Sequence, residues 1–394
     1  MASGSKTGGS QQPDLCPDEG VKTQVKLERL NQSTLRDMEK IVKGNPPGAD
    51  LWPFFRKANA NYKATRNKLA AQPKPSGEVK EPIPSQQSHL QHAVPSEGDI
   101  SVLWPLASNI ALILCDPSPP SSGETEKEKT RETSISRSAL SGILRQGDIL
   151  YQYFSRAVVR VAPDIVVKIN KSRDVTELAN LHHILSASQT IPVPAPLGMI
   201  AISHFCYHFT SFLPGTPLDR IWGNLTTWQK EDVRGQLNRL FIELRKLPLP
   251  SKEGYLGAGN PPTCKDHRRW TKTSTSPILD ETQFNAFLLS EPCSSESFIN
   301  YLHISLPSDH RIVMTHGDLH PRNILVDAEQ SVRIMGIVDW EFGGAYPEYW
   351  EYVQALKSSF TAKDDDWHAF LPEGGIGKYF DEFARDGVIS RMAS

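Results

Sequence analysis

Short blocks of β-branched residues crowd the middle of the chain, and helical returns take over towards its C-terminal side. Ala157-Val158-Val159-Arg160-Val161 and Ile165-Val166-Val167-Lys168-Ile169 predict two strands, because Val and Ile suit a pleated, half-buried surface and Ala162-Pro163-Asp164 supplies a turn between them. A helix is expected from about Asp174 to Leu185. Apolar residues then recur at helical spacing from Thr227 to Leu247 and from Glu281 to Leu289, and Tyr349-Trp350-Glu351-Tyr352-Val353 opens another apolar-faced helix. Between them, Ile324-Leu325-Val326 reads as a brief strand, Asp327 to Gln330 as its turn and Val332 to Val338 as the strand returning. That hairpin brings Asp339 back beside Asn323.

Before about residue 130 the organisation changes. Residues 1 to 20 are rich in Gly, Ser and Gln, while Pro73 to Ser96 and Asp116 to Ser138 are rich in Pro, Ser and charge, so the first reads as disordered and the others as linkers. Leu27 to Lys43 has periodic apolar positions and Phe54 to Ala71 a basic helical pattern, which predicts a pair of helices. Ile100 to Cys115, broken by Pro105, fits either a short helix or a buried strand. The expected division is an extension with linkers and helices over residues 1–130, a smaller lobe with a hinge over 131–212, and a larger lobe over 213–390.

Composition narrows the partners. A formal net charge of −2 and a pI near 6.6 argue against a nucleic-acid surface. The local tract Lys265-Asp266-His267-Arg268-Arg269 fits a solvated or substrate-contacting loop. Cys16, Cys115, Cys206, Cys264 and Cys293 are scattered and odd in number, with neither disulfide framework nor metal spacing. The first residues lack a signal-peptide core and Ile110 to Leu114 is far too short to span a bilayer, so no membrane association and a cytoplasmic location are expected. The pattern is silent on oligomeric state.

The chemistry gathers in Thr315-His316-Gly317-Asp318-Leu319-His320-Pro321-Arg322-Asn323 and in Ile337-Val338-Asp339-Trp340. Phosphoryl transfer needs a carboxylate beside the attacking hydroxyl and oxygen ligands that hold Mg²⁺ on the nucleotide phosphates. Asp318 and Asn323 have the spacing of the catalytic loop H-R-D-x-x-x-x-N, and the hairpin adds Asp339. Any one of them alone would more often cap a turn or satisfy local backbone. His316 and His320 lie four apart, but Gly317 and Pro321 argue against a shared helix. They are expected as a buried loop pin and a loop-orienting residue, not as metal ligands. Upstream, Lys168 emerges from an apolar strand, where an unpartnered ammonium is costly. Glu177, on the expected helix, is its candidate partner.

These motifs give the chain a resemblance to the aminoglycoside phosphotransferase and choline kinase-like family, in particular to its fungal phosphotransferase-domain proteins. Ile191-Pro192-Val193-Pro194, Phe212-Leu213-Pro214-Gly215-Thr216-Pro217-Leu218 and Glu281-Thr282-Gln283-Phe284-Asn285 add weaker support, and the likeness runs from about residue 139 to about residue 382. It implies an α+β, bilobal protein-kinase-like fold with a small mixed N-lobe sheet and a mainly helical C-lobe. It also implies ATP in the cleft, Mg²⁺ on its phosphates, and transfer of the γ-phosphoryl group to a hydroxyl of a small-molecule substrate. By the same resemblance Asp318 is the catalytic base, Lys168 and Glu177 are the phosphate-binding pair, and Asn323 and Asp339 are the metal ligands. Phe209-Thr210-Ser211-Phe212 resembles the hinge, with Thr210 and Phe212 as nucleotide contacts.

Two features depart from an ordinary protein kinase. Ile149 to Arg156 contains no glycine, so it lacks the tight backbone approach of a G-x-G-x-x-G loop. Ser155 becomes the candidate phosphate donor there and Arg156 a source of charge, against the simpler reading that both shape a hairpin. No D-F-G to A-P-E segment is recognisable either. The glycine-poor loop and the N-terminal extension keep open a second reading, a catalytically weak or inactive nucleotide-binding or regulatory scaffold. Trp350, Asp364, Asp365, Asp366 and Trp367 are candidates for the acceptor pocket. The competing reading makes Trp350 a core residue and Asp364 to Asp366 a solvated turn.

Overall fold

The computed structural model describes residues 94–115, 135–153, 156–266, 272–290, 294–329, 331–359 and 366–392, with isolated positions between residues 30 and 65. The chain divides into a unit of Met1–Ile83 and a unit of Pro84–Ser394. In the first, the described positions from Leu30 to Thr65 are helical; the rest of the two expected helices lies outside the described residues.

In the second unit, six described strands form one sheet in the order β1-β5-β6-β4-β3-β2. These are β1 (Ile100–Trp104), β2 (Asp148–Tyr153), β3 (Arg156–Ala162), β4 (Ile165–Asn170), β5 (Pro196–Ile202) and β6 (Phe205–Ser211). The expected β3–β4 hairpin forms, with Ala162 paired to Ile165. Every pairing is antiparallel where a mixed sheet was expected. Two-residue connections such as Pro163-Asp164 and Ser203-His204 can join only antiparallel neighbours.

One face of this sheet is covered from upstream. Val159, Val167, Ile169, Ile200, Tyr207 and Phe209 pack against Ile110 and Leu114 of α1 (Ser108–Leu114) and Leu140 and Leu144 of α2 (Arg137–Gln146). Ser136 caps α2, its Oγ accepting the Ala139 N–H. The ambiguous stretch Ile100 to Cys115 is thus a strand and then a helix, separated at Pro105. The smaller lobe therefore begins near Ile100, not at residue 131, because the sheet needs β1 to cover the edge of β5. On the opposite face, Leu178, Leu181 and Ile184 of α3 (Thr176–Ala187) join Met199, Ala201 and Cys206 in a core that continues into the larger lobe.

That larger lobe is mainly helical: α4 (Thr227–Leu244), α5 (Glu281–Leu289), α6 (Glu296–Ser305), α7 (Trp350–Ser359), α8 (Glu373–Ile376) and α9 (Phe380–Met392). Thr226 and Gln229 form a capping box at the start of α4. Short strands support the loops between the helices: β7 (Thr216–Pro217), β8 (Lys265–Asp266), β9 (Lys272–Thr273), β10 (Ile312–Thr315), β11 (Ile324–Asp327), β12 (Arg333–Ile337) and β13 (Gly344–Pro347). β11 and β12 are the expected hairpin, and β7, which follows the hinge, pairs with β11 as a third strand. Gly215 permits that approach: its φ is 129° and an added Cβ would sit 3.0 Å from the Val326 carbonyl oxygen.

Two acceptor-pocket candidates, Trp350 and Trp367, turn out to be interior, while Asp366 is half-exposed. Trp350 packs edge-on to Phe284 at 5.1 Å and Trp367 to Trp222 at 5.1 Å, both fully buried. Asp366 is engaged by Lys230 at 2.7 Å and by the Trp222 indole N–H at 2.7 Å. These side chains hold the lobe together. Asp364 and Asp365 lie outside the described residues. In the basic tract, Lys265 and Asp266 are buried instead of solvated, and His267, Arg268 and Arg269 fall outside the described residues. No described helix is long and apolar enough to cross a membrane.

A chain truncated to begin at residue 131 loses β1 and α1, which uncovers Ile200 and Ile202 and the edge of β5. It is expected to lose cooperative thermal unfolding, whereas a chain beginning at residue 94 keeps it. Equal melting curves for the two would remove β1 from the core.

Candidate active site

β10 carries the chain into the catalytic loop, with Thr315 paired to Gly344 of β13. The chain then turns at Gly317, where φ is +76° and an added Cβ would meet the Phe342 carbonyl oxygen at 2.3 Å. Both the left-handed conformation and the lack of room demand glycine. His316 is the buried pin expected of it. Its Nδ1 accepts the Asp318 N–H at 3.2 Å, which leaves Nε2–H to donate to the Val338 carbonyl at 2.9 Å, and its ring meets Trp340 edge-on at 4.6 Å. The catalytic loop and the Asp339-Trp340 motif are thereby one unit. His320 orients the next turn, its Nδ1 accepting the Arg322 N–H at 3.1 Å.

Beneath the loop lies Glu351, from the first turn of α7. It is fully buried and accepts the N–H of His316 at 2.5 Å and of Gly317 at 3.2 Å. Burial pushes its carboxyl up, opposed by the two backbone donors and Arg245. Nothing near the loop in the sequence announces Glu351; it comes from a helix more than thirty residues later.

Asp318 and Asn323 meet as their spacing predicts. Asn323 Nδ2 donates to the Asp318 carbonyl and to Oδ2, both at 2.9 Å. Arg322 Nη2 reaches Oδ1 at 2.9 Å and Oδ2 at 2.7 Å. The hairpin returns Asp339 beside them, because the Val338 N–H donates to the Asn323 carbonyl at 2.9 Å.

Lys168 is the charge centre of the site. Its Nζ lies 3.0 Å from Glu177 Oε2, 2.5 Å from Asp339 Oδ1 and 3.5 Å from Glu341 Oε2. Burial opposes the ammonium, yet the three carboxylates hold its pKa well above the ordinary lysine value. For Asp339, burial would raise the carboxyl, but Lys168, with Arg322 adding to it, brings it below its usual range. Burial leaves Glu341 raised, with Asp339 and Glu177 adding to the effect and Lys168 opposing it. Glu341 went unrecognised in the sequence, although its place two residues after Asp339 in Asp-Trp-Glu was a usable signal. Asp339 itself has φ +70°, a left-handed conformation that Asp tolerates better than most residues and that turns the chain sharply after β12. His208, the cross-strand neighbour of Lys168, is pushed down to about 4 by burial and by the lysine charge, so it is neutral at pH 7.

Further contacts tie α3 to this motif. Asn180 donates to the Trp340 carbonyl at 3.0 Å, and Lys265 donates to the Glu341 carbonyl at 2.6 Å while pairing with Asp174. Strand register puts Val158, Val166 and Thr210 on the same sheet face as Lys168. Phe212 lies at the end of that face. Its N–H is donated to the Asp164 carbonyl at 2.8 Å and its ring is covered by the Arg160 guanidinium at 3.9 Å, so that backbone donor is already used within the lobe. Ser155 falls outside the described residues.

The donor set suits a hard divalent cation. Asn323 spends its NH₂ on Asp318, which leaves its amide oxygen to offer, and three carboxylates share one ammonium alongside. Glu351→Ala leaves two buried N–H groups without an acceptor, a loss of about 1–3 kcal/mol for each. Urea denaturation is expected to show that loss for Glu351→Ala and a partial recovery in Glu351→Gln; equal stability of all three proteins would deny the anchor.

No curated protein sequence matches the chain. Several solved structures are similar to it at low identity. An aminoglycoside phosphotransferase APH(4)-Ia thermostable mutant, in ternary complex with ADP and hygromycin B, is 12% identical, with 63% of this chain and 94% of that one covered at a TM-score of 0.42. For an aminoglycoside-3'-phosphotransferase of type VIII the values are 18%, 65%, 95% and 0.42. A gentamicin complex of APH(2'')-IIa is 11% identical, covering 68% and 86% at 0.40. The family model described as the phosphotransferase enzyme family matches residues 152–385, more than half of the chain and every element of the site above, and the chain belongs to that family.

Proposed function

We propose that this phosphotransferase uses ATP with Mg²⁺ and transfers the γ-phosphoryl group to a hydroxyl of a small molecule. One observation carries the reading: Asp318, Asn323, Asp339 and Lys168 converge from a loop, a hairpin and a separate sheet onto one side of the cleft. A structural role would satisfy each of these residues locally instead of gathering them.

Asp318 accepts the proton of the acceptor hydroxyl and aims its oxygen. Asn323 keeps that carboxylate oriented and, with Asp339, would hold Mg²⁺; Glu341 adds negative charge beside them. The metal, when bound, neutralises phosphate charge as it builds. Lys168 offers its ammonium to the α- and β-phosphates while Glu177 keeps hold of it. Val158 and Val166 offer apolar surface to the purine, with Thr210 and the hinge at Phe212 beside it. Ser155, which lies between β2 and β3 in sequence, is the proposed phosphate donor.

Incubation with Mg²⁺-ATP and a broad set of hydroxyl-bearing metabolites, followed by ADP release and acceptor mass, tests the reading. Asp318→Ala is expected to lower kcat by about 10²–10⁴-fold while nucleotide binding stays within a few-fold. An unchanged kcat refutes its role, and ATP binding with no Asp318-dependent product across the panel favours a binding scaffold. Asp339→Asn should raise the Mg²⁺ concentration needed for half-maximal rate; the same Mg²⁺ titration curve in both proteins would take Asp339 out of the metal site.

A further inference from the structure

Arg322 has no role so far, yet it holds the catalytic carboxylate most closely. A single nitrogen, Nη2, spans both oxygens of Asp318 at 2.9 and 2.7 Å. Arginine bound to a carboxylate for structure commonly presents two nitrogens to two oxygens. The side-on contact seen here leaves the Nε and Nη1 edge of a planar cation able to bind a second acceptor. The side chain is 47% exposed against 13% for Asp318, and its side-chain hydrogen bonds among the described residues engage Nη2 alone. A pair four residues apart whose guanidinium is half-exposed adds little stability, which makes a folding role a weak explanation.

Two more observations locate the guanidinium. Its charge is among those felt at Asp339, so it lies within range of both carboxylates that flank the transferring group. Its backbone is fixed by the 3₁₀ turn Pro321–Asn323, which His320 caps. Asp318 Oδ2 already takes donors from Arg322 and Asn323, while Oδ1 takes one from Arg322. A carboxylate oxygen accepts about two hydrogen bonds, so Oδ1 has a direction left for the acceptor hydroxyl.

We propose that Arg322 is a catalytic residue that binds an oxygen of the γ-phosphoryl group through its second edge while Asp318 Oδ1 receives the acceptor hydroxyl. This rests on the phosphotransferase reading above. The acceptor oxygen forms the new bond to phosphorus as the bond to the β,γ-bridging oxygen breaks. That oxygen leaves with the electron pair as part of ADP, and the acceptor proton passes to Asp318 Oδ1. Arg322 gives up no proton. As Asp318 is neutralised, its hold on the guanidinium weakens, and the positive charge becomes available to the phosphoryl oxygens when they need it.

The test compares binding of Mg²⁺-ADP with binding of Mg²⁺-ADP plus aluminium fluoride, a mimic of the transferring phosphoryl group, in full-length wild type, Arg322→Ala and Arg322→Lys. Wild type is expected to bind the fluoride complex more tightly than ADP, and Arg322→Ala to lose about 10²-fold of that advantage with ADP affinity nearly unchanged. Arg322→Lys keeps the charge but lacks the second edge, and is expected to lose most of the same advantage even if the alanine variant folds poorly. Recovery of the tightening in Arg322→Ala on adding free guanidinium supports the assignment. An unchanged advantage in both variants, or equal weakening of ADP and of its fluoride complex, overturns it. Wild type that binds ADP without any fluoride effect overturns the Arg322 role alone; wild type that binds no nucleotide overturns the phosphotransferase reading as well.

Discussion

The ammonium of Lys168, 2.5 Å from Asp339 and 3.0 Å from Glu177, is the point on which the two lobes agree. Its partners come from separate elements: Glu177 from α3, Asp339 and Glu341 from the turn after β12, and the lysine from β4. Removing the cation would leave three carboxylates facing one another in a poorly solvated space, so sheet, helix and hairpin are constrained together. Such a cluster is a poor source of net stability compared with apolar packing. Its value is geometric, since it fixes sheet, helix and hairpin relative to one another.

Around that centre, the loop from Thr315 to Asn323 is held by buried residues. His316 joins the loop to Val338 and Trp340, Glu351 collects its backbone N–H groups, and Gly317 allows the turn under Phe342. The same loop carries Asp318, Asn323 and Arg322 within one short span. Precision at the carboxylate therefore depends on a buried glutamate and a buried histidine, and both are satisfied by backbone groups, not by substrate.

The smaller lobe solves a different problem. A six-stranded antiparallel sheet has two faces to cover, and the cleft uses part of one. α3 and the larger lobe cover the rest of that face, while α1 and α2 bury the other. The elements that do so come from upstream of the match to the family, which starts at residue 152. β3 packs beneath them, while β2 remains an edge strand with Leu150, Tyr151 and Tyr153 exposed.

Local pattern alone was enough for the β3–β4 and β11–β12 hairpins, for α5, and for the pairing of Lys168 with Glu177, because neighbours in sequence form them or because spacing and burial cost leave few alternatives. It also brought Asp318, Asn323 and Asp339 together, since one short loop and one hairpin suffice. What it left undecided was long-range. Ile100 to Cys115 had no local reason to be a strand and then a helix; the edge of β5 and the outer face of the sheet supplied it. Trp350 and Trp367 were ambiguous between pocket and core because an aromatic carries the same letter in both, and only packing against Phe284 and Trp222 separates them. Glu351 became part of the site for the same reason: burial and proximity are properties of the folded chain, and a separation of more than thirty residues hides it.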